Sequence, residues 1–401
     1  MGHHHQRGSH RHEHGDHSHL SRREVLMGLS AAGIAAALPP ISLSSVLHPA
    51  PAVQQNSAPL FRIERVTDGI YAAKARPTAM INCNAAIVVT ADHVLVVDSH
   101  SKPSAARALI GQIRAEVTDR PVRYIVNSHF HWDHAQGNLA YPEAYGPGTQ
   151  IVSSTGTREW LEREGVKRLR QSLEDISKEV ADLKKKMGAA KTESERKRLS
   201  EQTSELEAYK KEMTPAEAQI KLPTLTFEQR LVLHHGGKEI HLLFLGKGHT
   251  AGDVVVHVPG DRVVATGDLM HSVLPFMGDG FPEDWGRTLT AVEGLNFDRV
   301  LPGHGSVQEG KSVLVFFRTY IDELNEGVSR GVERGTSLKD LQRSLAPGRL
   351  KSMSANDHLA RLGREVESAF GPTADMNASL NEAVATNVAE VFNYYTKRRK
   401  S

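Results

Sequence analysis

The sequence predicts a mixed α/β fold, and three observations carry that expectation. Apolar runs of strand length alternate with stretches of helical spacing through the middle of the 401-residue chain. Turn-forming residues separate neighbouring runs closely enough to make hairpins. Several histidines stand just beyond the apolar runs, where loops leave a sheet and side chains stay accessible.

The elements follow in order. Ala85–Val89 and Val94–Val97 flank Asp92-His93 and read as a hairpin. Residues 103–117 are helical by spacing, with Ala106, Leu109, Ile110, Ile113 and Val117 on one face. Val122–Val126 is a continuous apolar strand, and 240–245, 254–258 and 263–265 are further strands. A helix near 289–295 leads to a short strand at Val300-Leu301. Helices at 313–324 and 380–395 and a basic tail at 397–400 close the chain, and their residues suit packing rather than catalysis.

One stretch has a different texture. Val166, Leu169, Leu173, Ile176, Val180, Leu183 and Met187 recur at alternating steps of three and four, a heptad seam that Gly188 ends. Thr192 and Glu195 form a capping box that restarts a helix carrying Leu199, Leu206, Tyr209 and Met213. The pattern predicts an antiparallel helical hairpin inserted at about 157–215, whose first arm extends roughly 45 Å. Its role is open between a passive spacer and a dimerisation arm or lid. The second arm is shorter, so part of the first arm's apolar stripe is expected to stay uncovered by it and to find either a second copy, giving a homodimer, or the enzyme's own surface. The sheet is expected to close without the insertion.

Composition narrows the function. The chain has 49 basic and 47 acidic side chains, so no overall field draws it to nucleic acid or an anionic membrane. Cys83 is its one cysteine, which excludes an intrachain disulfide and a cysteine zinc ribbon. Histidine, with 22 copies, is the residue to follow.

The N-terminal residues 1–52 read as an address. Ser21-Arg22-Arg23-Glu24-Val25-Leu26-Met27 precedes a Gly/Ala-rich run at 28–38, too short for a membrane span of roughly 20 residues. The segment resembles a twin-arginine signal, departing from its pattern at Val25 and Met27. That resemblance implies export machinery as a partner, passage in the folded state, and a periplasmic or secreted destination. Cleavage is expected near Ala50-Pro51-Ala52, and an ordinary amphipathic helix is the other reading. Eight histidines from His3 to His19 form either a metal-scavenging tract, a relic of expression or a polar leader. Their repeated H-x-H pairs show that a lone H-x-H carries no meaning in this chain.

The chemistry centres on Ser128-His129-Phe130-His131-Trp132-Asp133-His134, directly after the strand Val122–Val126. In extended backbone His129 and His131 point the same way and can chelate one ion, while Asp133 and His134 can reach a second. Imidazoles with carboxylates and no thiolate suit zinc, and suit iron or manganese less decisively. Three more strings follow: Gly248-His249-Thr250-Ala251-Gly252-Asp253, Thr266-Gly267-Asp268 and Pro302-Gly303-His304-Gly305. Val96-Val97-Asp98 precedes them.

In this order the strings resemble the metallo-β-lactamase superfamily, over roughly residues 60–320 apart from the helical insertion. The resemblance implies an αββα sandwich, two mixed sheets face to face with helices outside. It implies two Zn2+ per chain, with His129, His131 and His249 on the first ion and Asp133, His134 and His304 on the second. Asp268 would bridge the ions and Asp98 would support the loop. A hydroxide between the ions, oriented by Asp133, would attack a small-molecule ester, thioester, lactone or amide. The bridging aspartate resembles the glyoxalase II-like and general hydrolase branches, since all-histidine β-lactamases carry serine there. The competing reading is a metal-binding or partner-binding protein with a vestigial site. His100 and His271, together with Trp132, Phe276, Phe281 and Trp285, are candidates for the pocket wall. His234-His235 reads as surface.

The expected organisation is therefore residues 1–52 as tail and signal, 53–320 as the catalytic domain, and 321–401 as a C-terminal helical region.

Overall fold

Two sheets stack face to face, each covered on its outer side by helices. The computed structural model describes residues 59–76, 83–354, 358–370 and 375–398, so the expected tail and export signal lie outside the described residues. The first sheet contains β1 (Phe61–Thr67), β2 (Ile70–Ala75), β3 (Ala85–Val89), β4 (Val94–Val97), β5 (Val122–Val126), β6 (Gln150–Ser154) and β7 (Leu225–Phe227), in chain order. Its strands run antiparallel up to β4 and parallel from β4 to β7. The second contains β8 (Arg230–His235), β9 (Lys238–Leu243), β10 (Val255–Val258), β11 (Val263–Gly267), β12 (Arg299–Pro302) and β13 (Gln308–Glu309). Only the β11–β12 pair in that sheet is parallel.

The period of two along each strand decides which layer a side chain joins. Leu95 and Val97 face the second sheet, packing with Val126, Val256, Ala265 and Leu301. Val94 and Val96, one residue out of step, meet Leu109 and Ile113 of α1 (Pro103–Glu116). A strand buried on both faces has no polar side to show, which is why β4 and β5 read as nearly unbroken apolar runs. The result is the αββα sandwich that the resemblance implies.

α2 (Trp132–Ala135) is a single short turn in the loop after β5. Between β6 and β7 a helix at Thr155–Trp160 passes through one π-helical turn, Leu161–Gly165, into α3 (Val166–Ala189). α4 (Glu193–Glu212) returns alongside it. Thr192 Oγ1 accepts the Glu195 N–H at 3.2 Å, as the capping box requires, but the Glu195 carboxylate accepts from Lys191, one residue earlier than expected. The seam meets the second of its two expected partners, the domain's own surface. Leu169, Leu173, Ile176 and Leu183 are buried against Leu199, Leu206 and Tyr209, and Trp132, Ala216 and Ile220 extend the cluster at its root. The part of the stripe that the shorter arm leaves open is largely covered by the body of the domain.

The boundary expected at residue 321 falls inside a helix. α5 (Pro282–Glu293) and α6 (Ser312–Glu333) cover the second sheet, and α6 crosses residue 320 without a break. α7 (His358–Phe370) and α8 (Met376–Arg398) follow, and Val384, Val388 and Val391 of α8 share one apolar cluster with Trp285, Phe317 and Val264. The C-terminal helices are the outer layer of the sandwich. Leu324→Ala, at a fully buried position, should cost about 2–5 kcal/mol. The loss should appear in a single denaturant transition seen alike by far-ultraviolet circular dichroism and tryptophan fluorescence. Two separate transitions would mean that the C-terminal helices fold as an independent unit.

Candidate metal centre

The loops leaving β4, β5, β11 and β12, with the loop entering β10, meet at one edge of the sandwich. Each has a local device that fixes it. Asp98, just after β4, has φ +69°, a left-handed conformation that costs free energy for a residue with a side chain. There its carboxylate accepts the Ser128 N–H at 2.7 Å and the Ser128 hydroxyl at 2.8 Å, and lies 2.8 Å from His134 Nδ1. Asp98 therefore aims His134 with Nε2 inward and holds the start of the His129–His134 loop. Asp253 accepts the Thr250 N–H and hydroxyl, shaping the turn that presents His249. Burial pushes the Asp253 pKa up to about 7 against those hydrogen bonds. Gly303 has no side chain for a simple reason: a Cβ there would sit 1.9 Å from Asp268 Oδ1.

Asp268 stands at the middle of the assembly. Its oxygens lie 3.8 Å from His129 Nε2, 3.3 Å from His134 Nε2, 3.5 Å from His249 Nε2, 3.1 Å from His271 Nε2 and 3.3 Å from His304 Nε2. His131 Nδ1 is 2.8 Å from His249 Nε2. Asp133 Oδ2 lies 3.5 Å from His134 Nε2 and 3.4 Å from His304 Nε2. Potential donor atoms gather within 4.8 Å of one another in two groups that share Asp268: His129, His131 and His249 in one, His134 and His304 in the other. All seven residues expected to form the site are thus brought together and buried.

The donor set fits a metal ion. Among the described residues, His129 Nε2, His134 Nε2 and Asp268 Oδ1 are buried polar atoms without a hydrogen-bond partner. Buried polar atoms ordinarily find one. Ring nitrogens and carboxylate oxygens converging in this way, some of them without a partner, have the arrangement of ligands.

The electrostatics agree. Burial, reinforced by neighbouring imidazoles, holds His129 and His249 well below the ordinary histidine pKa, which leaves them neutral. Burial acts in the same direction on His134 and His304, but carboxylates outweigh it: Asp268, Asp133 and Asp98 raise His134, and Asp268 and Asp133 raise His304 to about 10. Burial would raise Asp133 and Asp268, yet the facing imidazoles hold both well below the usual carboxylate range.

The candidate wall residues separate. The Phe276 ring meets that of His131 edge to face with centroids 5.7 Å apart, and the buried Trp285 ring lies 5.5 Å, centroid to centroid, from that of His249. His271 joins Asp268 directly. Trp132 turns away and meets Tyr209 of the hairpin at 6.3 Å, so it belongs to the insertion's core rather than to the wall. His100 packs on Phe61 and lies 3.0 Å from Cys83 Sγ, behind the loop. Phe281 stands farther out under Lys247, whose Nζ is 4.9 Å from its ring. His235 is half-buried, bonded to the Tyr124 hydroxyl at 3.1 Å, while His234 is exposed.

Cys83 was not expected near the site. Its thiol donates to the Asp133 carbonyl at 2.8 Å, and burial raises its pKa, so it remains a neutral prop beneath Asp133. Asp279 was also missed. Its Oδ2 is 2.9 Å from His131 Nε2, and it pairs with Arg168 of α3. Burial would raise the Asp279 carboxyl, but the Arg168 guanidinium and His131 hold it well below the usual range. No motif marked it, and a carboxylate between Gly278 and Gly280 was the only local signal.

A metallo-beta-lactamase superfamily model matches residues 80–304, more than half of the chain. The chain belongs to that superfamily. Over 85 residues it is 32% identical to the metallo-beta-lactamase type 2 of Elizabethkingia meningoseptica, covering 20% of this chain and 34% of that protein. The match thus spans about a third of the relative's length. The fold is similar to the metallo-beta-lactamase of Pontibacter korlensis, at 18% identity and a TM-score of 0.46 over 64% of this chain and 95% of that one. It is similar too to FIM-1 from Pseudomonas aeruginosa in its mono-zinc form, at 15% identity and a TM-score of 0.48 over 67% and 98%.

The pKa pattern of the superfamily site gives a pH test. His304 is raised from 6.5 to about 10, so its stabilisation is complete below about 6.5 and lost as pH rises through 10. Asp133 and Asp268 are lowered, so theirs is present above the ordinary 3.8 and lost as pH falls through their folded-state values. Metal-stripped protein should therefore lose thermal stability steadily between pH 6.5 and 10. Metal loading near pH 7 should release protons, because ligating imidazoles must be neutral. Calorimetry in buffers of different ionisation enthalpy measures the release, and a flat stability profile with no release would contradict the charge assignment.

Proposed function

We propose that the chain is an exported, dinuclear metal-dependent hydrolase of ester, thioester, lactone or amide bonds, with zinc as the favoured ion. One observation carries this reading: two groups of buried imidazoles share a single carboxylate, and among the described residues His129 Nε2, His134 Nε2 and Asp268 Oδ1 have no hydrogen-bond partner. His129, His131 and His249 would hold one ion and Asp133, His134 and His304 the other, with Asp268 between them. When bound, two divalent cations supply a water acidified toward neutral pH and a Lewis acid for the oxygen of the attacked bond. The chain's own groups provide the rest. Asp133, ionised and 3.4 Å from His304 Nε2, is placed to accept a hydrogen bond from the attacking water. Asp98 and Ser128 keep the imidazoles aimed, and Phe276 lines the approach.

Two features pull the substrate class in different directions. Asp268 at the shared position favours an ester, thioester or lactone, whereas similarity to a protein named as a β-lactamase favours a cyclic amide. Initial rates on a lactone, an acyl-glutathione thioester, a β-lactam and a phosphodiester would decide between them. The metal reading has a simpler test. The purified chain should retain about two divalent ions, and His129→Ala should reduce kcat/KM by more than about 100-fold, because even the residues that only orient ligands cost 10–100-fold. Elemental analysis finding less than one ion per chain in active protein would overturn it.

Export rests on Arg22 and Arg23 ahead of the Gly/Ala-rich run. Replacing both with lysine should trap the precursor inside the cell. Fractionation that still recovered mature protein from the periplasm would rule out the twin-arginine route.

A further inference from the structure

The helical hairpin reaches the imidazole cluster through one side chain. Arg168, in the first turn of α3, places Nη1 2.9 Å from Asp279 Oδ2 and Nη2 3.1 Å from Oδ1. Both carboxylate oxygens are therefore fixed in the plane of the guanidinium. Asp279 Oδ2 also faces His131 Nε2 at 2.9 Å, and His131 Nδ1 points inward to His249. An ionised carboxylate can only accept a hydrogen bond, so the proton of a neutral His131 ring belongs on Nε2. That leaves the Nδ1 lone pair facing the cluster.

We propose that Arg168 is a positioning residue of the metal centre, fixing the orientation and tautomer of His131 through Asp279 and making the inserted hairpin a working part of the site. The proposal rests on the metal-centre reading above.

Several observations make Arg168 more than a surface partner. Asp279 lies between two glycines in a turn closed by Gly280 N–H on the Met277 carbonyl, and the two-pronged contact with Arg168 fixes its carboxylate. The guanidinium is itself held, 5.1 Å from the Trp160 ring and 6.0 Å from the Phe130 ring. Those two rings stack with centroids 3.7 Å apart. Phe130 sits between His129 and His131 in the ligand loop, whereas Trp160 belongs to the root of the hairpin. One cation thus clamps loop, hairpin and Asp279 together. Lysine lacks the planar fork and could not make all of these contacts at once. Two further contacts fasten the hairpin at the same end. The Tyr209 hydroxyl donates to Gln136 Oε1 at 2.6 Å, just after the ligand loop. The Glu212 carboxylate accepts the Ser104 N–H and hydroxyl, both at 2.6 Å, at the start of α1.

The test uses the full chain as wild type, Arg168→Gln, Arg168→Lys and Asp279→Ala. Lys184→Ala serves as a control, since it breaks a hairpin ion pair with Glu207 that has no link to Asp279. Affinity for Co2+ and Zn2+ is measured by chelator competition, and the Co2+ absorption spectrum is recorded. Arg168→Gln should weaken one of the two ions by about 10-fold and change its Co2+ spectrum, and Asp279→Ala should weaken it by up to about 100-fold. Arg168→Lys should lie closer to Gln than to wild type, and Lys184→Ala should match wild type. In the metal-free protein, 15N chemical shifts should place the His131 proton on Nε2 in wild type and show a mixture in Arg168→Gln.

Unchanged affinity and an unchanged spectrum in Arg168→Gln would overturn the proposal. So would an equal loss in Lys184→Ala, which would mean that any damage to the hairpin has the same effect. A wild-type chain that took up no ion would overturn the metal-centre reading instead, and the tautomer measurement would still decide what Arg168 does to His131.

Discussion

The structure is organised around one electrostatic problem: keeping a buried carboxylate, Asp268, within 3.1–3.8 Å of five imidazole rings. Imidazoles this close discourage one another from charging, and carboxylates this buried need opposite charge nearby. The chain meets both demands by position. His129 and His249 stay neutral, while His134 and His304 are held charged by Asp133 and Asp268. Such an arrangement survives only on a stiff frame, and the apolar layer between the sheets supplies it. Strands β4, β5, β11 and β12 are pinned along their lengths and release their loops at the same edge. The left-handed backbone at Asp98 and the missing side chain at Gly303 are local strains and vacancies that this frame can sustain.

What was legible in the sequence was whatever is local. The strands and helices followed from period-two and period-3.6 patterns and their layering from the family resemblance, and the ligand strings could be read because each lies within a few residues at a strand end. What was not legible depends on distance along the chain. Arg168 and Asp279 are 111 residues apart, and neither sits in a pattern that points at the other. Cys83 had no neighbour in sequence to suggest that it props Asp133. Trp132 was a candidate for the pocket wall because it stands among the ligands in sequence. The chain turns into α2 at that point, and the turn swings its ring toward Tyr209.

The hairpin and the C-terminal helices share one feature: each was legible as a packing element before the surface it packs on was known. A heptad seam invites a search for a partner helix of equal length, yet here the body of the domain completes the seam through Trp132, Ala216 and Ile220. A helical C-terminal stretch invites a domain boundary, yet its apolar faces are the missing cover of the second sheet. In each case the amphipathic pattern was read correctly and the surface it covers was the unknown.

The π-helical turn at Leu161–Gly165 gives the hairpin a property that its length does not. Successive residues on a helix are rotated by about 100°, so one residue more or less in that turn would spin the whole of α3 about its axis. Arg168 would then leave Asp279, and the apolar seam would face solvent instead of α4. At the far end, around 188–192, an added or lost turn changes only how far the arm projects. The insertion is therefore free in reach and locked in phase, and its tolerance to length changes during evolution should be steeply unequal between root and tip.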